Sequence, residues 1–177
     1  MTTLNSPRVE VTRAGAADRP TLDRLWTMFR HDMSAVSGVL PNSCAEFRSE
    51  RLEMATSQPG WAAYILRMRD AAVGLCIIRG LDAPERVISS FFLVHGARRA
   101  GHGRRAVDTV TQQHPGRWAV AYQEANLPAA AFWPSIAQAA DPDWTHERRA
   151  VPGRPDLPPD SWVRSAVTPT RSVAAHQ

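Results

Sequence analysis

The chain has 177 residues, of which 44% are hydrophobic and 21% are charged. This composition is typical of a globular protein, and the length suits one domain with a substantial core. No apolar run approaches the roughly 18 residues that cross a bilayer. Met1–Ser6 lacks the basic and apolar segments of a secretion signal. We therefore expect a cytoplasmic protein with no membrane partner.

The net charge is +4, and all 21 basic residues are arginine. They are scattered along the chain, with one dense cluster formed by Arg98, Arg99, Arg104 and Arg105. This distribution favours a local anion site over a nucleic-acid surface, so we expect no nucleic-acid partner. Cys44 and Cys76 have no metal or redox spacing, so we expect reduced structural thiols and no metal.

The hydrophobic periodicity predicts elements in the order β-α-α-β-β-β-α-β-α-β-β. The N-terminal half comprises a strand at 9–12, helices at about 18–38 and 47–59, and strands at 61–69, 73–78 and 87–94. The C-terminal half comprises a helix at 104–114, a strand at 118–122, a helix at 127–139, and strands at 144–151 and 161–167. We predict one domain with a mixed α/β sheet over residues 1–169 and a disordered tail over 170–177.

A glycine-punctuated basic turn, Arg98-x-x-Gly101-x-Gly103, separates the strand ending near Val94 from the next helix. Glycines let a backbone approach a ligand and adopt positive φ. Successive N–H groups at a helix start bind anions. The turn therefore predicts a diphosphate site. Its spacing fits neither a Rossmann turn nor a Walker loop, and the chain has no lysine.

This turn resembles the pyrophosphate loop of the GCN5-related N-acetyltransferase (GNAT) family, which binds acetyl-coenzyme A. A second segment, Asn126-Leu-Pro-Ala129-Ala-Ala-Phe132-Trp133, resembles the Asn-x-x-Ala-x-x-Phe-aromatic segment of that family. In the family, the asparagine side chain meets the pantetheine arm and the small residue lets the helix approach it. Taken alone, Asn126 could simply cap a helix.

A subgroup of predicted acetyltransferases shows a closer resemblance. It shares Phe91-Phe92-Leu93 before the loop and Pro115-Gly116-Arg117-Trp118 after its helix. Two positions depart from the common patterns. Ser90 stands where many members of the subgroup have glutamate, and Trp133 stands where many other acetyltransferases have a tyrosine acid. Tryptophan cannot donate a proton in that role.

The resemblance implies a mostly antiparallel central sheet flanked by helices. It also implies transfer of an acetyl group from acetyl-coenzyme A to an amine. We expect a small-molecule acceptor (an antibiotic, metabolite or polyamine), direct attack in a ternary complex, and a monomer or homodimer. The alternatives are an acceptor on a protein N-terminus or aminoacyl-tRNA, and a non-catalytic acyl-coenzyme A-binding module.

The resemblance also indicates which residues contact the coenzyme. A backbone N–H near Leu93 or Val94 would polarise the acetyl carbonyl. The full set of expected coenzyme-binding residues is Phe92, Leu93, Val94, Arg98, Arg99, Ala100, Gly101, His102, Gly103, Arg104, Asn126, Ala129, Phe132 and Trp133.

Four residues are candidates for catalysis. They are Asp32, His95, Glu124 and Tyr122. Asp32 is the first choice for the base, because a carboxylate can also hold the substrate ammonium, and His95 is the second. Each has a structural alternative: Asp32 could be an exposed helix charge and His95 a solvated loop residue. Glu124 could be a surface carboxylate and Tyr122 a packing residue. Candidate acceptor contacts are Trp26, Phe29, Asp32, Ser34 and Ser90, although the spacing of Trp26 and Phe29 also favours core packing.

Overall fold

A computed structural model describes residues 8–169 of the chain. The strands are β1 (Val9–Arg13), β2 (Trp61–Met68), β3 (Ala71–Arg79), β4 (Glu85–Leu93), β5 (Gly116–Tyr122), β6 (Thr145–Arg149) and β7 (Asp160–Val167). The helices are α1 (Arg19–Ser37), α2 (Glu50–Ser57), α3 (His102–Gln113) and α4 (Leu127–Ala140). The predicted order of strands and helices is confirmed. The predicted tail over 170–177 lies outside the described residues.

Helix α1 begins and ends where the sequence indicates. Pro20 lies in its first turn after Asp18, and Gly38 ends it in the left-handed conformation, with φ +66°. Helix α2 is shorter than predicted because the segment before it has other hydrogen-bond partners. The Asn42 side chain accepts the N–H groups of Cys44 and Glu46, and the Trp26 indole donates to the Arg48 carbonyl. These bonds hold the segment as a loop until Glu50.

The strands form one sheet of seven in the order β1-β2-β3-β4-β5-β7-β6. Every neighbouring pair is antiparallel except β4 and β5, which are parallel. The predicted class, a mixed and mostly antiparallel sheet flanked by helices, is therefore confirmed. Within residues 8–169, no helix has the length and apolarity needed to cross a membrane.

Helices cover both faces of the sheet. The face carrying Ala63, Ile65, Leu75, Ile77 and Phe92 packs against apolar residues of α1 and α2. The opposite face carries Tyr64, Cys76 and Ile88 and packs against α3 and α4. Both cysteines are free thiols, and burial raises the pKa of Cys76 to about 12.

The two parallel strands separate part-way along their length. They pair only where Glu85–Ile88 lies beside Arg117–Val120, although β4 continues to Leu93. Ser89 is an extra residue in β4, because Ile78 pairs with Ile88 and Ile77 pairs with Ser90. Such a bulge bends its strand and interrupts pairing. A gap therefore opens between β4 and β5 beyond Ser89.

The register of β3 and β4 determines which peptide groups face this gap. The Val94 N–H donates to the Val73 carbonyl at 2.8 Å, and β3–β4 pairing keeps one register from Ser90 to Leu93. Successive residues of an antiparallel pair alternate between facing the neighbour and facing away. The peptide groups of Phe91 and Leu93 therefore face away from β3, towards the gap.

Candidate active site

The turn at the start of α3, which we call the cradle, lies at the end of the gap and has a backbone shape that suits an anion. Gly101 has φ +76°, and the first helical hydrogen bond runs from the Arg105 N–H to the Gly101 carbonyl at 3.1 Å. The N–H groups of residues 102–104 have no acceptor within the helix, because they belong to its first turn. No side chain caps them either. Arg99 is also left-handed, with φ +66°. Successive N–H groups in such a turn form a concavity suited to phosphate.

The arginines of the loop have different partners. Arg104 donates to the Ser135 carbonyl and hydroxyl at 3.2–3.4 Å, so its guanidinium joins α3 to α4. Its backbone N–H remains at the cradle. Arg99 and Arg105 are exposed. His102 is only 3% exposed, and its Nδ1 atom has no hydrogen-bond partner among the described residues.

An aromatic cluster forms the wall between the cradle and α4. The Phe132 ring stacks on Phe91 with centroids 5.8 Å apart, and Trp133 meets Phe91 edge-on at 5.6 Å. Gly103 of α3 faces this cluster, and a Cβ atom built on it would lie 3.4 Å from the Phe132 ring, at ordinary van der Waals contact. Trp133 is 7% exposed and belongs to the core. The position that the resemblance matches to a tyrosine acid therefore holds a packed ring.

Asn126 caps α4 with its oxygen and keeps its nitrogen for another contact. Its Oδ1 accepts the Ala129 N–H at 3.2 Å, which agrees with the simple capping interpretation. Its Nδ2 lies 3.7 Å from the Met33 sulfur on α1. A thioether is a weak acceptor, so a ligand amide could replace it. Met33 packs against the core cluster that contains Phe92, so this contact joins the start of α4 to α1.

The two leading base candidates meet at the cradle end of β4. The Asp32 carboxylate lies 3.0 Å from His95 Nε2 and 2.8 Å from Arg98 Nη2. The Arg98 Nε donates to the Leu93 carbonyl at 2.7 Å, and the guanidinium lies 5.8 Å from the Phe92 ring centroid. The Asp32 side chain is 31% exposed, against 82% for His95. Asp32 is therefore already engaged by the first residue of the loop motif.

The other two catalytic candidates lie at the end of β5. Glu124 accepts the Ser161 hydroxyl at 3.1 Å, and its carboxylate lies 3.5 Å from Arg148. Tyr122 stacks on His146, with ring centroids 6.4 Å apart. Burial, together with the nearby Glu124 charge, raises the pKa of Tyr122. Its phenol therefore stays protonated at neutral pH.

The predicted acceptor contacts separate into core and site residues. Trp26 and Phe29 are buried, and Phe29 packs against Phe92 with ring centroids 6.1 Å apart, so core packing accounts for both. The Ser34 hydroxyl donates to the His31 carbonyl at 2.6 Å. Ser90 is buried beside the bulge, and its hydroxyl donates to the Ser89 carbonyl at 2.8 Å.

Two findings go beyond the sequence-based expectations. The Val94 N–H is not available to a thioester, because it already donates to the Val73 carbonyl, so the gap-facing N–H groups of Leu93 and Phe91 replace it. Arg51, which no motif indicates, donates from Nη1 to the Ser89 carbonyl at 3.1 Å and so holds the bulge. Only the strand register and the bulge identify these groups.

Comparison with known proteins gives structural matches alone. No protein-family model matches the chain, and no curated protein matches it. An acetyltransferase from Thermus thermophilus has TM-score 0.66 and 17% identity, over 92% of this chain and 99% of that one. The Escherichia coli ribosomal-protein-S18-alanine N-acetyltransferase has TM-score 0.59 and 10% identity, over 96% and 99%.

A third match was solved with a bound coenzyme. A putative streptothricin acetyltransferase from Bacillus anthracis, in complex with acetyl coenzyme A, has TM-score 0.52 and 12% identity, over 66% of this chain and 68% of that one. Identities this low show a common fold and no more. The fold of this chain is that of the GNAT acetyltransferases.

Proposed function

We propose that this protein binds acetyl-coenzyme A and transfers the acetyl group to an amine of a small molecule, by direct attack in a ternary complex. One observation carries the proposal: the anion cradle before α3 adjoins a gap between β4 and β5 that is lined by peptide edges. A pyrophosphate suits the cradle. The amides of a pantetheine arm suit the edge of Phe91 and Leu93.

The length of the arm places the thioester near the bulge. A pantetheine arm of about a dozen bonds spans on the order of 15 Å when extended. Leu93 and Ser89 are four residues apart, which is about 13 Å along a strand. A coenzyme with its phosphates in the cradle thus brings its thioester to Ser89–Ser90. Of the gap-facing N–H groups, that of Phe91 is nearest the bulge, so we assign it to the acetyl carbonyl.

The two pairs of catalytic candidates lie at different positions along this path. Asp32 and His95 lie at the cradle end. Tyr122 lies two residues beyond the Val120–Ile88 pair, level with Ser90. We therefore assign the base to Glu124, acting directly or through water, and assign Asp32 to holding Arg98. The thiolate leaves without a tyrosine acid, because the pKa of a thiol is modest.

Two matched variants test this assignment with a small-amine panel that also includes a peptide N-terminus. Glu124→Gln should lower kcat/KM by about a hundredfold or more, with acetyl-coenzyme A affinity unchanged. Asp32→Asn should mainly raise the KM for acetyl-coenzyme A. The reverse pattern would return the base role to Asp32. Coenzyme binding without thiol release from any amine would indicate a binding module, and absence of coenzyme binding would reject the proposal.

A further inference from the structure

Three arginines from different elements lie on the side of α1 and α2, and one of them contacts the bulge. Arg51 of α2 donates to the Ser89 carbonyl at 3.1 Å. Arg79 of β3 pairs with Val87, two residues from Ser89, and lies on the same face as Ile77, which packs against α1 and α2. Arg30 of α1 lies over the Phe47 ring, 5.9 Å from its centroid, in the loop that leads into α2.

These positive charges are close enough to affect one another. Arg51 is exposed to solvent as a residue, but protein atoms around its guanidinium and then the charges of Arg30 and Arg79 lower its pKa. The one carboxylate that opposes this effect on Arg51 is Asp160, at the start of β7. Partial burial raises the pKa of Asp160, and the nearby charge of Arg51 acts in the opposite direction.

None of the three arginines contacts a carboxylate within the distance of an ion pair. No ion pair in the described part of the chain includes Arg30, Arg51 or Arg79, whereas Arg98 and Arg164 each contact a carboxylate. The buried Nε atom of Arg30 also has no hydrogen-bond partner there. Asp160 acts on Arg51, and Arg30 acts on Glu50, so carboxylates balance the positive charge of this cluster only in part. A bound anion would balance the remainder.

We infer that the acceptor carries an anionic group, a carboxylate or a phosphate, in addition to its amine, and that Arg51, Arg79 and Arg30 bind this group. The inference rests on the proposed function, because the bulge is where the thioester is expected. Arg51 reaches the Ser89 carbonyl itself, so the bound anion lies within a few bonds of the reacting amine. An amino acid or a phosphorylated amino sugar has this chemistry, whereas a simple polyamine does not.

Paired acceptors test the inference by thiol release from acetyl-coenzyme A. The pairs are amines with and without the anion, such as 4-aminobutyrate with butylamine and glucosamine 6-phosphate with glucosamine. We expect the anionic member to have at least about a tenfold higher kcat/KM. The pair that shows the larger preference identifies whether the site takes a carboxylate or a phosphate. An equal or higher value for the neutral members would overturn the inference.

Substitutions connect that preference to the arginines. Arg79→Gln removes charge without touching Ser89, so the kcat/KM of the anionic member should fall more than that of the neutral member, and the preference should drop. Arg51→Gln should lower the preference too. The control is Arg24→Gln, an exposed arginine of α1 without an ion pair, which should retain the preference. Equal losses for both members of a pair would indicate a structural role and reject the site.

A binding measurement separates failure of this inference from failure of the proposed function. With coenzyme A saturating the cradle, inorganic phosphate or acetate should raise the melting temperature of the wild type more than that of Arg79→Gln. If no amine releases thiol, the proposed function fails. The difference in melting-temperature response between wild type and Arg79→Gln then decides the anion site by itself. Equal responses of wild type and variant would overturn it.

Discussion

The substitution Gly101→Ala tests the anion cradle directly. Gly101 has φ +76°, and a Cβ atom built on it would meet no protein atom within 4 Å. Alanine in this conformation costs roughly 1–2 kcal/mol, and it causes no clash in the free protein. The added methyl group would project into the space where we expect the pyrophosphate. The affinity for acetyl-coenzyme A should therefore fall at least tenfold, about 1.4 kcal/mol.

A second glycine supplies the matched control. Gly153, in the loop before β7, has φ +70°, and a Cβ atom built on it would also meet no protein atom within 4 Å. Gly153→Ala should carry the same backbone strain without obstructing the cradle. Both variants should melt lower than the wild type, by roughly 2–8 °C for a chain of this size. Only Gly101→Ala should also lose coenzyme affinity.

Calorimetric titration with acetyl-coenzyme A distinguishes the two effects. The heat of binding gives the dissociation constant for each folded variant, and thermal unfolding confirms that their strain is comparable. An affinity of Gly101→Ala within about threefold of that of Gly153→Ala would refute the reasoning. In that case the left-handed turn before α3 would serve chain geometry alone.

Three further predictions follow from single contacts. Asn126→Asp retains the capping oxygen and loses the Nδ2 donor, so coenzyme affinity should fall in calorimetry at an unchanged melting temperature, whereas Asn126→Ala should lower both. Arg98→Gln should loosen α1 from the loop and raise the KM for acetyl-coenzyme A more than it lowers kcat; a pure kcat effect would contradict this. Burial lowers the pKa of His114, so the folded protein favours the neutral imidazole. The stability gained in this way is complete above pH about 6.5, where the unfolded chain is neutral too, and it is lost on acidification. The melting temperature should fall below that pH, and less so in His114→Gln, which can still accept from the Tyr64 hydroxyl.

The order of elements could be predicted because it depends on local signals. Apolar periodicity, Pro20 and Gly38 define α1, and the glycine turn marks the junction between β4 and α3. Boundaries were less predictable where side chains replace helical hydrogen bonds. Asn42 and Trp26 supply such bonds before α2, from positions that periodicity does not indicate.

The site was predictable only at its coenzyme end. There, a contiguous loop supplies the backbone N–H groups, so a motif suffices. The contact between Asp32 and Arg98 joins residues 66 positions apart, and its effect is to occupy the carboxylate that sequence reasoning favoured as the base. Spacing along a chain does not report that two side chains already satisfy each other.

The acceptor end depends on strand pairing, which no short motif encodes. The extra residue Ser89 in β4 interrupts pairing with β5 and presents a carbonyl to Arg51. That single irregularity both opens the gap and draws an arginine to its edge, so the place where the thioester is expected is also a place of excess positive charge. An amine approaching as an ammonium would be repelled there unless its own anionic group neutralised the arginines. Electrostatics thus favours a zwitterionic acceptor at this edge, through residues of α1, α2 and β3 that share no sequence pattern.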